Sequence, residues 1–222
     1  ESDKLLDIAC GTGIYAQYFS DCCEVVAVDI STRALGKAKV RLQDKIRYGK
    51  VHLVLAEASN LPFRDRAFDK ILSSDTLEHV PEVEKCLNEF SRALKLNGRL
   101  VVYTGCEANP LNLQWFFLKV YGYDRINIAK GHINSPFFST KYHTKVFRKI
   151  GLEIERLEYL YHYVGCLFQI LYDLMPGARA TKLRSGIIDK ILFHFLTLEH
   201  RFLKRVPLGS GIFIFACKAG NS

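Results

Sequence analysis

The residue types near the start of the chain could do chemistry together. Asp7 lies in the apolar run Leu5-Leu6-Asp7-Ile8-Ala9-Cys10, Gly11-Thr12-Gly13 follows at once, and a second apolar run, Val25-Val26-Ala27-Val28, ends on Asp29. Glycine has no Cβ and tolerates dihedrals closed to other residues, so a Gly-Thr-Gly turn lets the backbone approach a ligand closely. An ionised aspartate at the end of the neighbouring strand can accept hydrogen bonds from both hydroxyls of a ribose. The combination reads as a site for a nucleotide-type cofactor.

Two cofactor classes use this geometry. Gly11-x-Gly13-x-x-Ala16 satisfies the dinucleotide fingerprint, and Asp29 follows Gly13 by sixteen residues, near the usual acidic offset. Asp7 counts against that reading, because a carboxylate at the end of the first strand would repel a pyrophosphate and attract an ammonium group. Leu6-Asp7-Ile8-Ala9-Cys10-Gly11-Thr12-Gly13 fits a ligand with a cationic amino acid end and an adenosine end. On these residues the chain resembles the class I S-adenosylmethionine-dependent methyltransferases, of the type 11 or ubiquinone-menaquinone-biosynthesis-like kind.

The resemblance extends over residues 3–160 and a last strand at 211–218. Val51–Ala58 followed by Ser59-Asn60-Leu61-Pro62-Phe63 is similar to the family's adenine segment, with Glu57 where the family usually has Asp. Phe68–Val80 is similar to its fourth strand and following loop, and Ala93–Val102 to its helix, glycine turn and fifth strand. The resemblance implies S-adenosyl-L-methionine as cofactor and S-adenosyl-L-homocysteine as product. It implies Asp7 near the methionine amino group, Asp29 on the ribose, Glu57 and Ala58 near the adenine, and Ser74 against the cofactor. Ala9, Gly11, Gly13, Tyr15 and Ile30 complete the expected cofactor set. Each piece has a blander reading: a tight turn at Gly11–Gly13, a helix cap at Asp29, a loop plug at Leu61–Phe63. Four motifs in the right order outweigh them.

Strands and helices alternate through the first half, which requires right-handed crossovers and a parallel sheet. The expected fold class is α/β: a Rossmann-like, doubly wound, seven-stranded, mostly parallel sheet with an antiparallel last strand and a helical insertion before it. Strands are expected at 4–9, 24–29, 51–55, 68–73, 99–105, 152–157 and 211–218. One helix should begin at Ser31-Thr32-Arg33, another run from Pro81-Glu82 to Asn97-Gly98, and a third from Ser139 to Ile150. Ligands of such sheets sit at the carboxyl ends of the strands, where the order reverses.

The whole chain, 1–222, reads as one domain containing two individual parts. Residues 106–145, rich in aromatics and turn signals, are the expected acceptor-side segment, and 162–207 the helical insertion or cap. In that insertion Ile187, Ile188, Ile191, Leu192, Phe195, Leu198, Phe202 and Val206 recur at helical spacing, and 177–206 carry seven Lys/Arg against two acids. Core packing is the plain role; contact with an anionic membrane surface is the alternative. His79 and His132 are the candidate catalytic bases by position, each weighed against an ordinary structural histidine.

With 49% hydrophobic and 24% charged residues, the composition is that of a soluble enzyme. Seven scattered Cys show no metal-ligand spacing, so no metal is expected, and a reducing cytoplasm fits, with peripheral membrane attachment as a variant. The net charge of +8 comes without an RNA-binding module, so nucleic acid is not the expected partner. A small-molecule or lipid-like acceptor, methylated on oxygen or carbon, is the leading reading. A catalytically silent cofactor-binding protein and an NAD-type dinucleotide enzyme remain the alternatives, and oligomeric state stays open.

Overall fold

Strands buried on both faces need apolar side chains at nearly every position, and the first two runs meet that requirement. In the computed structural model, which describes residues 3–106, 131, 138–160, 197–206, 209 and 211–220, β1 (Lys4–Ile8) and β2 (Glu24–Asp29) bury all but their first residue. β3 (Val51–Leu55) and β4 (Phe68–Ser74) follow, then β5 (Leu94–Gly105), β6 (Leu152–Leu160) and β7 (Gly211–Lys218). Their order is β3-β2-β1-β4-β5-β7-β6. The pairs β1·β2, β1·β4, β2·β3 and β4·β5 are parallel, and the last strand runs antiparallel. The order reverses between β1 and β4, and that reversal opens a crevice at their carboxyl ends.

Short helices make the crossovers. α1 (Ile14–Phe19) leads from the glycine turn, α2 (Thr32–Arg41) and α3 (Gln43–Arg47) join β2 to β3, and α4 (Val83–Ala93) joins β4 to β5. Ser31 caps α2 by accepting from Ala34 N at 3.2 Å. In α4, Val83, Cys86, Leu87 and Phe90 are buried at helical spacing, an apolar stripe laid on the sheet.

One boundary differs from expectation. α4 ends at Ala93, and Leu94 already pairs with Phe68 as the start of β5. The left-handed residue is Asn97 (φ 61°), not Gly98; asparagine tolerates that conformation. Gly98 is required for space instead, because a Cβ there would lie 2.8 Å from Leu94 Cδ1 and 2.9 Å from Lys95 O.

The chain groups into two compact units. The first comprises Glu1–Tyr103, Thr144–Arg156 and Ile214–Ser222; the second comprises Thr104–His143 and Leu157–Phe213. The first unit contains segments of all seven strands. Within it Lys218 Nζ donates to Ser91 O at 2.6 Å and to Leu94 O at 3.3 Å, tying the last strand to the α4–β5 junction.

α5 (Thr140–Lys149) begins in the second unit. Tyr159 and Thr140 share a hydroxyl hydrogen bond of 2.9 Å there, and His143 Nε2 lies 3.2 Å from Gly105 O. Burial pushes the His143 imidazole down to about 4, against a smaller opposing effect of that carbonyl. The ring is therefore neutral at physiological pH and Nε2–H is the donor. Of the expected acceptor-side segment and helical insertion, His132, Ile187, Ile188, Ile191, Leu192 and Phe195 lie outside the described residues. Residues 197–203 are helical, and Leu198 and Phe202 of the expected apolar stripe are exposed.

Candidate functional site

At the carboxyl ends of β1, β2, β3 and β4 lies a cleft of about 460 Å³, wholly within the first unit. Ile8 and Ala9 come from β1 and the turn after it, Val28 and Ile30 from the end of β2, and Ala56–Ser59 from the turn after β3. The loop after β4 supplies Asp75, Thr76, His79, Val80, Pro81 and Glu82. The walls are largely apolar, and their polar groups include three acidic side chains, Glu57, Asp75 and Glu82, with no Lys or Arg among the described lining residues.

The glycine turn is built as the chemistry requires. Ala9, Gly11 and Gly13 all have left-handed dihedrals (φ 54°, 56° and 77°). Cys10 N donates to Val28 O at 2.9 Å and Gly13 N to Cys10 O at 2.9 Å, which folds the turn back over the strand ends. A Cβ at Gly11 would meet nothing within 4 Å, so open space faces the backbone there. Gly13 is the opposite case: a Cβ would lie 2.6 Å from Leu42 Cδ1 and 3.2 Å from Ala38 Cβ.

Asp29 does two structural jobs with one carboxyl group. Oδ2 accepts from Gly11 N and Oδ1 from Ser31 N, both at 2.8 Å, so the side chain joins the glycine turn to the entry of α2. The blander reading of Asp29 as the helix N-cap is corrected: Ser31 is the N-cap of α2, and Asp29 instead holds the Ser31 N–H. Each oxygen keeps a second lone pair, so a role toward a diol is not displaced.

Asp7 is 2% exposed, and its Oδ2 has no hydrogen-bond partner. Desolvation pushes its acid up to about 7, opposed by the Ala16 backbone N–H and reinforced by Asp29. A buried oxygen without a donor is costly, so its presence calls for a partner such as a cation. The sign of the pH dependence follows. A carboxyl whose folded pKa is raised binds a proton that the unfolded chain has lost, so its contribution is fully present below its ordinary value of 3.8 and is lost as pH rises through about 7. Asp7→Asn is expected to raise the thermal midpoint of the ligand-free protein at pH 8 by roughly 2–4 °C, and to leave it unchanged at pH 4. Differential scanning calorimetry at both pH values checks this.

Of the residues expected to bind a cofactor, Ala9, Ile30, Glu57 and Ala58 line the cleft, and so does His79. Gly11 and Asp29 are tied to each other beside it. Asp7, Gly13, Tyr15 and Ser74 are not in the lining, although the Ser74 hydroxyl donates to Asp75 Oδ2 at 2.9 Å. Partial desolvation raises the Asp75 acid, offset by that hydroxyl and by His79.

Comparison with known proteins agrees with this geometry. Residues 6–102 match the family model described as "Methyltransferase domain". The chain is 42% identical over 103 residues to the ubiquinone/menaquinone biosynthesis C-methyltransferase UbiE of Yersinia enterocolitica, a match covering 45% of this chain and 41% of that protein. The match therefore spans less than half the length of that relative. Among solved structures, the YcgJ protein from Bacillus subtilis superimposes with a TM-score of 0.65 at 20% identity, covering 99% of this chain and 93% of that one. Geranyl diphosphate C-methyltransferase from Streptomyces coelicolor gives a TM-score of 0.64 at 20% identity, covering 98% and 73%. The [4+2]-cyclase SpnF gives 0.69 at 18%, covering 99% and 76%. These likenesses show the fold alone.

Sequence reasoning missed Asp75, Glu82 and Cys86 in the cleft. Asp75 carried a signal, because it directly follows the strand that ends at Ser74 and takes a left-handed turn (φ 51°). Burial pushes the Cys86 thiol up to about 11, so it stays protonated. The Leu61-Pro62-Phe63 segment is held by a clamp that was also missed. Arg92 donates to Leu61 O, Phe63 O and Asp65 Oδ1 at 3.1, 2.7 and 2.8 Å, while Glu89 accepts from Arg92 and from Leu61 N. Arg92→Met is expected to lower stability by about 2 kcal/mol, because two backbone carbonyls lose a charged donor. Urea unfolding of the two proteins measures it.

Proposed function

We propose that this protein is an S-adenosylmethionine-dependent methyltransferase acting on a small-molecule or lipid-like acceptor, with oxygen or carbon as the atom methylated. The observation that carries the reading is the charge of the cleft: among the described residues Glu57, Asp75 and Glu82 line it without a Lys or Arg, and Asp7 and Asp29 adjoin the lining residues Ile8, Val28 and Ile30 in the chain. A pyrophosphate would be repelled by such a site, whereas a ligand with a sulfonium and an ammonium group is attracted. The match to a methyltransferase domain and the UbiE relative support the same chemistry.

The residues fit the cofactor on two counts. Asp7 Oδ2 is a buried acceptor without a donor, which an ammonium would satisfy, and the space around Gly11 is open to an approaching ligand. Asp29 would take the ribose hydroxyls, Glu57 and Ala58 the adenine edge, and the apolar walls would exclude water. When bound, S-adenosylmethionine supplies a methyl group on a positively charged sulfur, so the protein's task is alignment rather than activation. A base is needed only where the acceptor must lose a proton. His79 stands at the cleft with Asp75 as its charged neighbour. If His79 is that base, His79→Ala lowers turnover roughly 100-fold with cofactor affinity within about twofold of the parent; unchanged turnover removes it from that role.

The deciding experiment has two readings: calorimetric titration with S-adenosylmethionine, and transfer of a labelled methyl group into a cell extract followed by phase partition. Cofactor binding with enzyme-dependent label in the organic phase supports a lipid-like acceptor, and label confined to the aqueous phase a polar one. Binding without transfer identifies a catalytically silent cofactor-binding protein. Binding of NAD with none of S-adenosylmethionine overturns the reading in favour of a nicotinamide enzyme.

A further inference from the structure

Between Arg33 and Lys50 the chain has seven Lys/Arg and the single acid Asp44, so six of its eight excess positive charges lie in this short stretch. It forms α2, α3 and the turn before β3. Of these cations Lys45 is paired with Asp21, and Arg41 reaches the neutral Gln17 side chain at 3.3 Å. Ala38 faces the core with no exposure. At about 100° per residue, the opposite stripe of α2 is then Arg33, Gly36 and Val40, with Lys37 and Lys39 at its margins. Val40 is 74% exposed in the middle of that stripe, and Tyr48, between Arg47 and Lys50, is 73% exposed.

Ordinary solvated helix faces mix both signs of charge and keep apolar side chains off their crest. Here a single acid, Asp44, stands among seven cations around two protruding apolar groups. We propose that the α2–α3 face docks the protein on the anionic headgroup surface of a lipid bilayer, its cations against the headgroups and Val40 and Tyr48 in the interfacial layer. The charge complements any polyanion, but the apolar pair favours a bilayer. Tyrosine is at home at membrane interfaces, and a phosphodiester backbone offers Val40 nothing to bury against. Attachment is peripheral, since among the described residues no helix is long and apolar enough to cross a membrane. The face is also denser in charge than residues 177–206, where five excess charges are spread over thirty residues. Docking of this kind does not rest on methyl transfer and holds or fails independently of it.

Co-sedimentation of the full chain with vesicles tests it, using phosphatidylcholine alone and phosphatidylcholine with about a third phosphatidylserine. Binding is expected only to the anionic vesicles, and to weaken as salt rises. Each basic side chain near such a surface shifts partition roughly fivefold, so the triple variant Arg33→Glu, Lys37→Glu, Arg47→Glu is expected to lose at least about 100-fold. Val40→Ser with Tyr48→Ser, at constant charge, is expected to lose about tenfold. All five side chains are exposed, so an unchanged thermal midpoint and unchanged S-adenosylmethionine titration serve as controls on folding. The proposal is overturned by any of three results. The triple variant binds like the parent; or Arg201→Glu with Arg205→Glu abolishes binding in its place; or the serine variant binds unchanged while a homopolymeric RNA displaces the vesicles, which makes the face a polyanion site.

Discussion

Gly13→Val is expected to lower the thermal midpoint of the protein by roughly 4–20 °C. Two effects add. A β-branched residue at φ 77° is held in a conformation that costs about 1–2 kcal/mol even for simpler side chains. Its Cβ would also stand 2.6 Å from Leu42 Cδ1 and 3.2 Å from Ala38 Cβ, in a core cluster where both neighbours have no exposure. Overpacking of that kind costs a further 1–3 kcal/mol or so, and each kcal/mol is worth about 2–4 °C in a chain of this size. Gly11→Ala separates strain from space. It has a similar dihedral penalty at φ 56° but open surroundings, so its midpoint should fall by only a few degrees while S-adenosylmethionine affinity drops with the space lost. A Gly13→Val protein as stable as Gly11→Ala would show that α2 can yield around the turn.

The second large effect belongs to Asp29. Asp29→Ala leaves the Gly11 and Ser31 backbone N–H groups without their 2.8 Å acceptors, at about 1–3 kcal/mol each where water cannot replace them. It also removes the proposed ribose contact. Calorimetric titration is expected to show S-adenosylmethionine bound at least about 100-fold more weakly, because the loss falls on the bound state and on the turn that prepares it. Asp29→Asn separates these contributions, since its amide offers one acceptor oxygen in place of two. An intermediate affinity is expected for it. If Asn and Ala variants are equal, the carboxyl acts through its charge rather than through the two backbone bonds.

The elements legible in the sequence are those whose burial is dictated locally. β1 and β2 announce themselves because parallel strands covered on both faces must be apolar throughout, and their observed limits agree to within a residue. Ser31 was readable as the start of α2 because capping is a short-range affair. The end of α4 was not, because Asn97 rather than a glycine takes the left-handed turn and Leu94 leaves the helix to be buried in the sheet. In the candidate site, the residues of the glycine turn and Asp29 were visible as motifs, but the bonds from Asp29 to Gly11 and Ser31 emerge only in three dimensions. The clamp from Arg92 and Glu89 to Leu61 and Phe63 was hidden for the same reason: it joins residues about thirty positions apart, with no periodicity to betray it. Asp75 and Glu82 acquire their meaning from the absence of any Lys or Arg among the described residues that line the cleft with them.

The position of β7 bears on how the molecule is made. β7 lies between β5 and β6, so the last in chain order of these seven strands fills an interior place in the sheet. On a ribosome, β3-β2-β1-β4 can pair as soon as Ser74 has emerged. β5 must wait with one edge bare, and α4 with the Ser91 and Leu94 carbonyls lacking their lysine, until Gly211–Lys218 has been translated. An exposed edge of this length invites pairing with other chains. The interval between translating β5 and β7 is thus the period in which a nascent copy is most vulnerable to aggregation and most dependent on a chaperone.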